Sequence, residues 1–264
     1  MAGSGRLERA FASRPSATGL IPYLTAGYPS PEVTLELMHM LEAAGALAIE
    51  IGIPFSDPIA DGPDLQRASE RALGNGMSAS GALDLIRRFR ERGTLPVIVM
   101  TYANPVLRLG IDRFSRSARD AGADAVILSD LPPDESPEVW RALDDAGLDS
   151  VLLVAPTTSA ERLPSIVSRC RGFVYCLART GVTGAGEGYA GSIADRVRDI
   201  RALTSLPVAI GFGISAPEQA RALRGVVEGV VVGAAFARDV AADPDAGVVE
   251  RIEARARALI DAMA

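Results

Sequence analysis

Short apolar runs rich in Val, Ile and Leu recur along the chain, at residues 20–25, 48–53, 96–102, 125–131, 150–155, 172–178, 207–213 and 229–234. Between them, apolar residues return at the three-to-four-residue spacing of an amphipathic helix. Pro31 opens one such stretch, with Val33, Leu37, Met40 and Leu41 in phase and Gly45 beyond its end. Residues 82–89 repeat the pattern before Gly93, 111–121 before Gly122 and 136–146 before Gly147, and 217–223 and 248–263 complete the series. A glycine just past a helix end accepts the left-handed conformation that closes the last turn. Near-continuous apolar strands suit a sheet buried on both faces. Strands that alternate with helices imply parallel β-α-β units. The pattern predicts an α/β fold, the closed (β/α)8 or TIM barrel, and leaves an open doubly wound sheet as the alternative. The length fits one barrel domain over residues 1–264, with a short helix at 7–12 closing the floor ahead of the first strand.

Composition narrows the chemistry. Hydrophobic residues make up 48% of the 264, enough for one sizeable core, and 27 basic against 33 acidic residues leave a net charge of −6. Nucleic-acid binding needs a basic face, so no nucleic-acid partner is expected. All 27 basic residues are arginines, which excludes a Schiff-base mechanism, since that needs a lysine. Cys170 and Cys176 match no zinc spacing and read as free thiols in a reducing compartment. No cluster has metal-ligand spacing, and no metal is expected. His39, the single histidine, sits inside the first helical stretch, so a histidine-dependent mechanism is not expected. The lone Trp140 reads as packing. Residues 1–14 lack an apolar signal core, and no run of about 18 apolar residues occurs. The expectation is a cytoplasmic protein that does not cross a membrane.

In barrels of this kind the site lies at the C-terminal ends of the strands. Strand side chains alternate between faces, so in the second run Ile49, Ile51 and Ile53 face the helices while Glu50 shares the inward face with Ala48 and Gly52. Those small neighbours leave space above and below Glu50. A carboxyl group placed there is costly unless it is paired or used. A general acid with a tuned pKa is the functional reading, and a structural Glu bonded to a neighbour is the alternative. Asp57 and Asp61 follow, as site carboxylates or as turn and cap residues. Tyr175 in the sixth run either presents a hydroxyl inside the barrel or packs as core. The glycine-rich stretch 181–188 is long for a strand-to-helix connection and fits a mobile lid. Gly211, Gly213 and Gly233 end the last two strands, where backbone N–H groups can approach an anion, although glycine also ends strands for purely geometric reasons.

These features together resemble the tryptophan synthase α subunit family. The resemblance runs over nearly the whole chain, through IPYLTAGYP at 21–29, IEIGIPFSDPIADGP at 49–63, MTYANPV at 100–106, GVTGA at 181–185 and GFGIS at 211–215. It implies retro-aldol cleavage of indole-3-glycerol phosphate to indole and glyceraldehyde 3-phosphate, in tryptophan biosynthesis and without a cofactor. It implies Glu50 as the proton donor to indole C3, Asp61 as the carboxylate that receives the indole N–H, and Tyr175 as an active-site tyrosine near the glycerol portion. Gly184, Gly213, Gly233 and Ala234 match phosphate-binding positions, and Tyr23, Met100, Tyr102 and Ile127 match the walls of the indole pocket. The family usually has serine where Ala234 stands, and Met100 and Ser129 also depart from its common choices. The resemblance further implies a pyridoxal-phosphate-containing β subunit in an α2β2 heterotetramer, with Asp57, Asn104 and Pro132 in the α-side contact region. Free-standing members that release indole are the alternative, as is a weakly active subunit that mainly activates its partner.

Overall fold

A strand buried on both faces meets its backbone hydrogen-bonding needs only through neighbouring strands. The computed structural model, which describes residues 5–14, 17–178, 189–211 and 213–264, shows how this chain meets that demand. Its strands are β1 (Gly19–Thr25), β2 (Ile49–Gly52), β3 (Val97–Thr101), β4 (Ala125–Leu128), β5 (Asp149–Ser150), β6 (Leu153–Val154), β7 (Val174–Leu177), β8 (Val208–Gly211) and β9 (Gly229–Val232). Every pair is parallel. The order is β5-β4-β3-β2-β1-β9-β8-β7-β6. The two end strands belong to one apolar run, the fifth of the sequence. Within it the Val151 N–H still donates to Val126 O at 3.0 Å, while Leu152 O already accepts from Tyr175 N–H at 3.2 Å. The run leaves β4 and joins β7, and that handover closes the ring. An open doubly wound sheet would leave two free edges, so that alternative is excluded.

The helices are α1 (Arg6–Ala12), α2 (Pro31–Ala43), α3 (Pro63–Gly74), α4 (Ala79–Arg90), α5 (Ala103–Leu109), α6 (Ile111–Ala121), α7 (Pro137–Asp145), α8 (Leu163–Arg169), α9 (Tyr189–Arg201), α10 (Pro217–Arg221), α11 (Ala234–Ala242) and α12 (Val248–Met263). Three features differ from the sequence reading. The fifth run is divided between two partners. Two helices, not one, follow each of β2 and β3, because Gly74 to Met77 and Gly110 interrupt the helical path. Ala234, read as the end of the last strand, is the first residue of α11. Gly45, Gly122 and Gly147 take the expected positive φ at helix ends, but Gly93 does not. Glycine is needed at Gly93 for another reason: a Cβ there would lie 2.3 Å from the Phe89 ring. No described helix is long and apolar enough to cross a membrane.

Alternation divides the apolar residues into two layers. Ile21, Tyr23, Ala48, Ile98, Met100, Ile127, Val151, Phe173, Tyr175, Ala209 and Val231 fill the barrel. Leu20, Leu24, Ile49, Ile51, Val97 and Val99 face out and pack against Leu37, Leu41, Ile86 and Phe89 of the helices. The inner layer is sealed below by α1, whose Leu7 and Phe11 enter it, with Phe11 and Phe173 rings 5.7 Å apart. Trp140 is packing, as expected: it is buried, and its indole N–H bonds Pro132 O and Glu135 O.

One charged group anchors the floor. Asp124 is fully buried, yet Oδ1 accepts from Arg6 Nε at 2.8 Å, and Oδ2 accepts from Arg90 Nη2 and Val97 N–H, each at 2.8 Å. Those bonds tie α1 and α4 to the edge of β3. Asp124→Asn should cost about 3 kcal/mol, because it leaves two arginines without their counter-charge at the same site. Urea denaturation checks this, with loss of less than about 1 kcal/mol counting against the anchor.

Candidate active site

Glu50 enters the barrel from the middle of β2, on the same face as Ala48, as alternation requires. It is fully buried, and neither carboxyl oxygen has a hydrogen-bond partner among the described residues. The alternative of a structural Glu bonded to a neighbour is therefore not what the geometry gives. Burial lifts its pKa to about 8, and the nearby charge of Asp61 adds to the rise. At neutral pH the group is a carboxylic acid with a proton to give.

Asp61 lies in the segment between β2 and α3. Gly62 is the N-cap of α3 and no side chain caps it, so Asp61 is not the capping residue it might have been by spacing. Its side chain instead bonds the Tyr102 hydroxyl. That same hydroxyl accepts from Ala60 N–H at 3.2 Å, so Tyr102 holds both the segment and its carboxylate. Burial raises Asp61 to about 6 and the Tyr102 bond lowers it, leaving the group ionised at pH 7. Phe55 backs Tyr102, with ring centroids 5.3 Å apart. Asp57 is exposed and its carboxylate accepts from Ser56 Oγ, so it stands apart from this buried pair.

Tyr23 and Tyr175 enter the barrel from β1 and β7, and each lies across a glycine of the next strand. A Cβ at Gly52 would sit 2.0 Å from the Tyr23 hydroxyl, and one at Gly211 would sit 2.3 Å from the Tyr175 hydroxyl. The space above Glu50 inferred from Gly52 is thus filled by Tyr23. Glycine at 52 and 211 is a requirement of volume. Both phenols are pushed up, first by burial and then by the neighbouring carboxyl groups, so they remain neutral donors. Met100 and Ile127 line the same interior. Tyr102 belongs to the rim instead of the inner layer.

At the other side of the opening, Gly233 is the N-cap of α11 and no side chain caps that end, leaving the first-turn amides of Ala234 and its successors to an outside acceptor. Gly233 lies 3.1 Å, by its virtual Cβ, from Cδ1 of Tyr23, so this helix end adjoins the site. Gly213 adopts φ +90°, a conformation that favours glycine. Gly184 and the stretch 181–188 lie outside the described residues. Among the described residues no group of His, Cys, Asp and Glu is placed to hold a metal ion. His39 packs against Phe89 in the helical layer, with ring centroids 4.9 Å apart and the planes tilted by 39°, away from these groups. Cys170 and Cys176 are both free and buried.

Comparison with known proteins adds an independent line. The family described as tryptophan synthase alpha chain matches residues 10–264. A tryptophan synthase alpha chain of Phenylobacterium zucineum is 43% identical over 263 residues, covering 96% of this chain and 95% of its own length. One from Burkholderia mallei is 45% identical over 231 residues, covering 86% and 85%. Among solved structures, tryptophan synthase subunit alpha of Legionella pneumophila superposes with a TM-score of 0.88 at 37% identity, covering 98% of both chains. A tryptophan synthase structure from Mycobacterium tuberculosis gives 0.90 at 34% identity, covering 100% of this chain and 99% of that one.

The buried Glu50 carries a stability consequence. Its raised pKa means that the folded state holds a proton the unfolded chain releases, so its contribution is fully present below the unfolded value of 4.5 and is lost as pH rises through about 8. Glu50→Gln removes that dependence. Relative to wild type, the variant should gain about 2–3 kcal/mol between pH 6 and pH 9, two units of the shift. Parallel denaturation curves at the two pH values measure it, and an unchanged difference would show that Glu50 is not protonated in the fold.

Proposed function

The chain belongs to the tryptophan synthase alpha chain family, and from that premise we propose how its own residues cleave indole-3-glycerol phosphate into indole and glyceraldehyde 3-phosphate. The observation that carries the proposal is the split pair of carboxyl groups: Glu50 is held at about 8 and Asp61 at about 6 within one enclosure. Two carboxyl groups in different environments divide acid and base roles. Glu50 gives its proton to C3 of the indole ring. Asp61, ionised, accepts the ring N–H and takes up the positive charge that builds there. The C3–C1′ bond then breaks and its electron pair returns to the ring. The C1′ hydroxyl becomes the aldehyde carbonyl, and its proton passes to the Glu50 carboxylate, so the acid is restored.

The remaining assignments follow from position. Tyr23, Met100 and Ile127 wall the ring, and Tyr175 places a neutral hydroxyl near the glycerol portion. Tyr102 is better read as a positioning residue for Asp61 than as a wall. Gly213, Gly233 and the Ala234 amide hold the phosphate at the start of α11, with Gly184 proposed as a further contact. Phosphate binding far from the breaking bond supplies energy to orient it. We also propose that the chain works as one domain, in the cytoplasm, with a β subunit. The β2–α3 segment and α5, tied together by the Ala60–Tyr102 bond, expose Ile59 at 82% and Leu107 at 51% beside Asp57 and Asn104, an apolar surface suited to such a partner.

Indole release from indole-3-glycerol phosphate, measured with and without a β subunit, tests the function directly. Turnover should follow a bell: rising near pH 6 as Asp61 ionises and falling near pH 8 as Glu50 does, with both limbs belonging to the coupled pair. Glu50→Gln should lose roughly 10²- to 10⁴-fold in rate with substrate binding retained. Asp61→Asn should remove the acid limb. Near-wild-type turnover in Glu50→Gln would sink the assignment.

Ala234→Ser separates backbone from side-chain recognition of the phosphate. One added hydrogen bond to a charged group is worth about 1.5–3 kcal/mol at most, and displacement of water offsets part of it. Apparent KM should fall by up to roughly tenfold with kcat little changed, because phosphate binds equally in ground and transition states. A large rise in kcat would instead favour a chain tuned down as a catalyst and kept to activate its partner.

A further inference from the structure

Both carboxyl oxygens of Glu50 are buried, face the barrel interior and make no hydrogen bond among the described residues, while Oγ1 of Thr25, also buried, interacts with the Tyr23 side chain and lowers its pKa against the effect of burial. Unpartnered buried polar atoms are rare, because each gives up its bonds to water. Thr25 is the last residue of β1 and lies two positions beyond Tyr23, so it points to the same inner face. In the ladder Tyr23 pairs with Glu50 and Thr25 pairs with Gly52. Thr25 therefore stands in the layer directly above Glu50. The Tyr23 hydroxyl occupies that same layer, in the volume left by Gly52. Two hydroxyls thus overlie the carboxyl group. Among the described residues the titratable groups facing Glu50 are Tyr23 from β1, Asp61 from the β2–α3 segment, with Tyr102 behind it, and Tyr175 from β7. None of them is a cation.

A carboxylic acid that gives up its proton must accommodate a negative charge. With no cation facing it among the described residues, Glu50 draws on neutral donors, and hydroxyls suit the task. By rotation about one bond a hydroxyl accepts from the acid form and donates to the carboxylate. We infer that Thr25 Oγ1 and the Tyr23 hydroxyl form the donor pair that holds Glu50 while it is ionised, which makes Thr25 a positioning residue for the cleavage and gives Tyr23 a role beyond walling the ring. The inference rests on the reading of Glu50 as the proton donor.

Indole-release kinetics of the full chain across about pH 5 to 10, for Thr25→Val, Thr25→Ser and Tyr23→Phe, test it. Loss of one donor to the carboxylate makes Glu50 a weaker acid. Thr25→Val and Tyr23→Phe should each lower kcat about tenfold, leave KM within about twofold and move the alkaline limb up by about one pH unit. Thr25→Ser keeps the hydroxyl and should keep the wild-type profile. An alkaline limb that stays in place in both deletions, or a loss confined to KM, overturns the inference. Should Thr25→Val fail to fold, Tyr23→Phe decides alone, since it removes one oxygen and leaves the ring. Glu50→Gln in the same assay separates the two claims. If it retains turnover, the reading of Glu50 as proton donor has failed. If it is inactive while both deletions leave the limb in place, only the donor pair has failed.

Discussion

Closing a parallel sheet into a ring fixes how much space the ring encloses, and in this protein that volume governs everything inside. The closure is made by residues 149–154, which pair first with β4 and then with β7. Once the ring is shut, each inward side chain competes for room with those on adjacent strands. Tyr23 and Tyr175 fit because Gly52 and Gly211 yield their places. Ala48 and Ala209 are small members of the same inner layer. The interior is packed, not hollow, and the acid on β2 sits within that packing.

The chemistry follows from the same enclosure. A carboxyl group on a strand in water would titrate near its ordinary value. Surrounded by Tyr23, Tyr175 and the apolar inner layer, Glu50 loses its hydration and keeps its proton. Asp61 is drawn the same way but is partly rescued by the Tyr102 hydroxyl, which lowers it. One physical cause, desolvation, is thus applied unequally to two groups, and the inequality sets their roles. At the floor the opposite solution is used: Asp124 is buried as deeply as Glu50 but is matched by Arg6 and Arg90. A paired buried carboxylate anchors the fold, and an unpaired buried carboxyl group stores a proton.

The amino-acid sequence by itself determined the alternation of strand and helix, the inward direction of Glu50, the outward direction of Ile49 and Ile51, and the absence of any lysine for covalent chemistry. These are local properties. The direction of a side chain follows from its position in a strand, and a strand can be recognised from a few neighbouring residues. Through its motifs the sequence also pointed to a family. Tertiary structure alone decided the division of the fifth run, the Asp61–Tyr102 bond, the stacking of Tyr23 across Gly52, the partners of Asp124 and the placement of Thr25 above Glu50. Each of these depends on register between strands that lie far apart in the chain, and nothing in a local pattern carries that register. The pKa of Glu50 belongs to this second group as well, because desolvation is set by all the atoms that surround a group and not by the residues next to it in sequence.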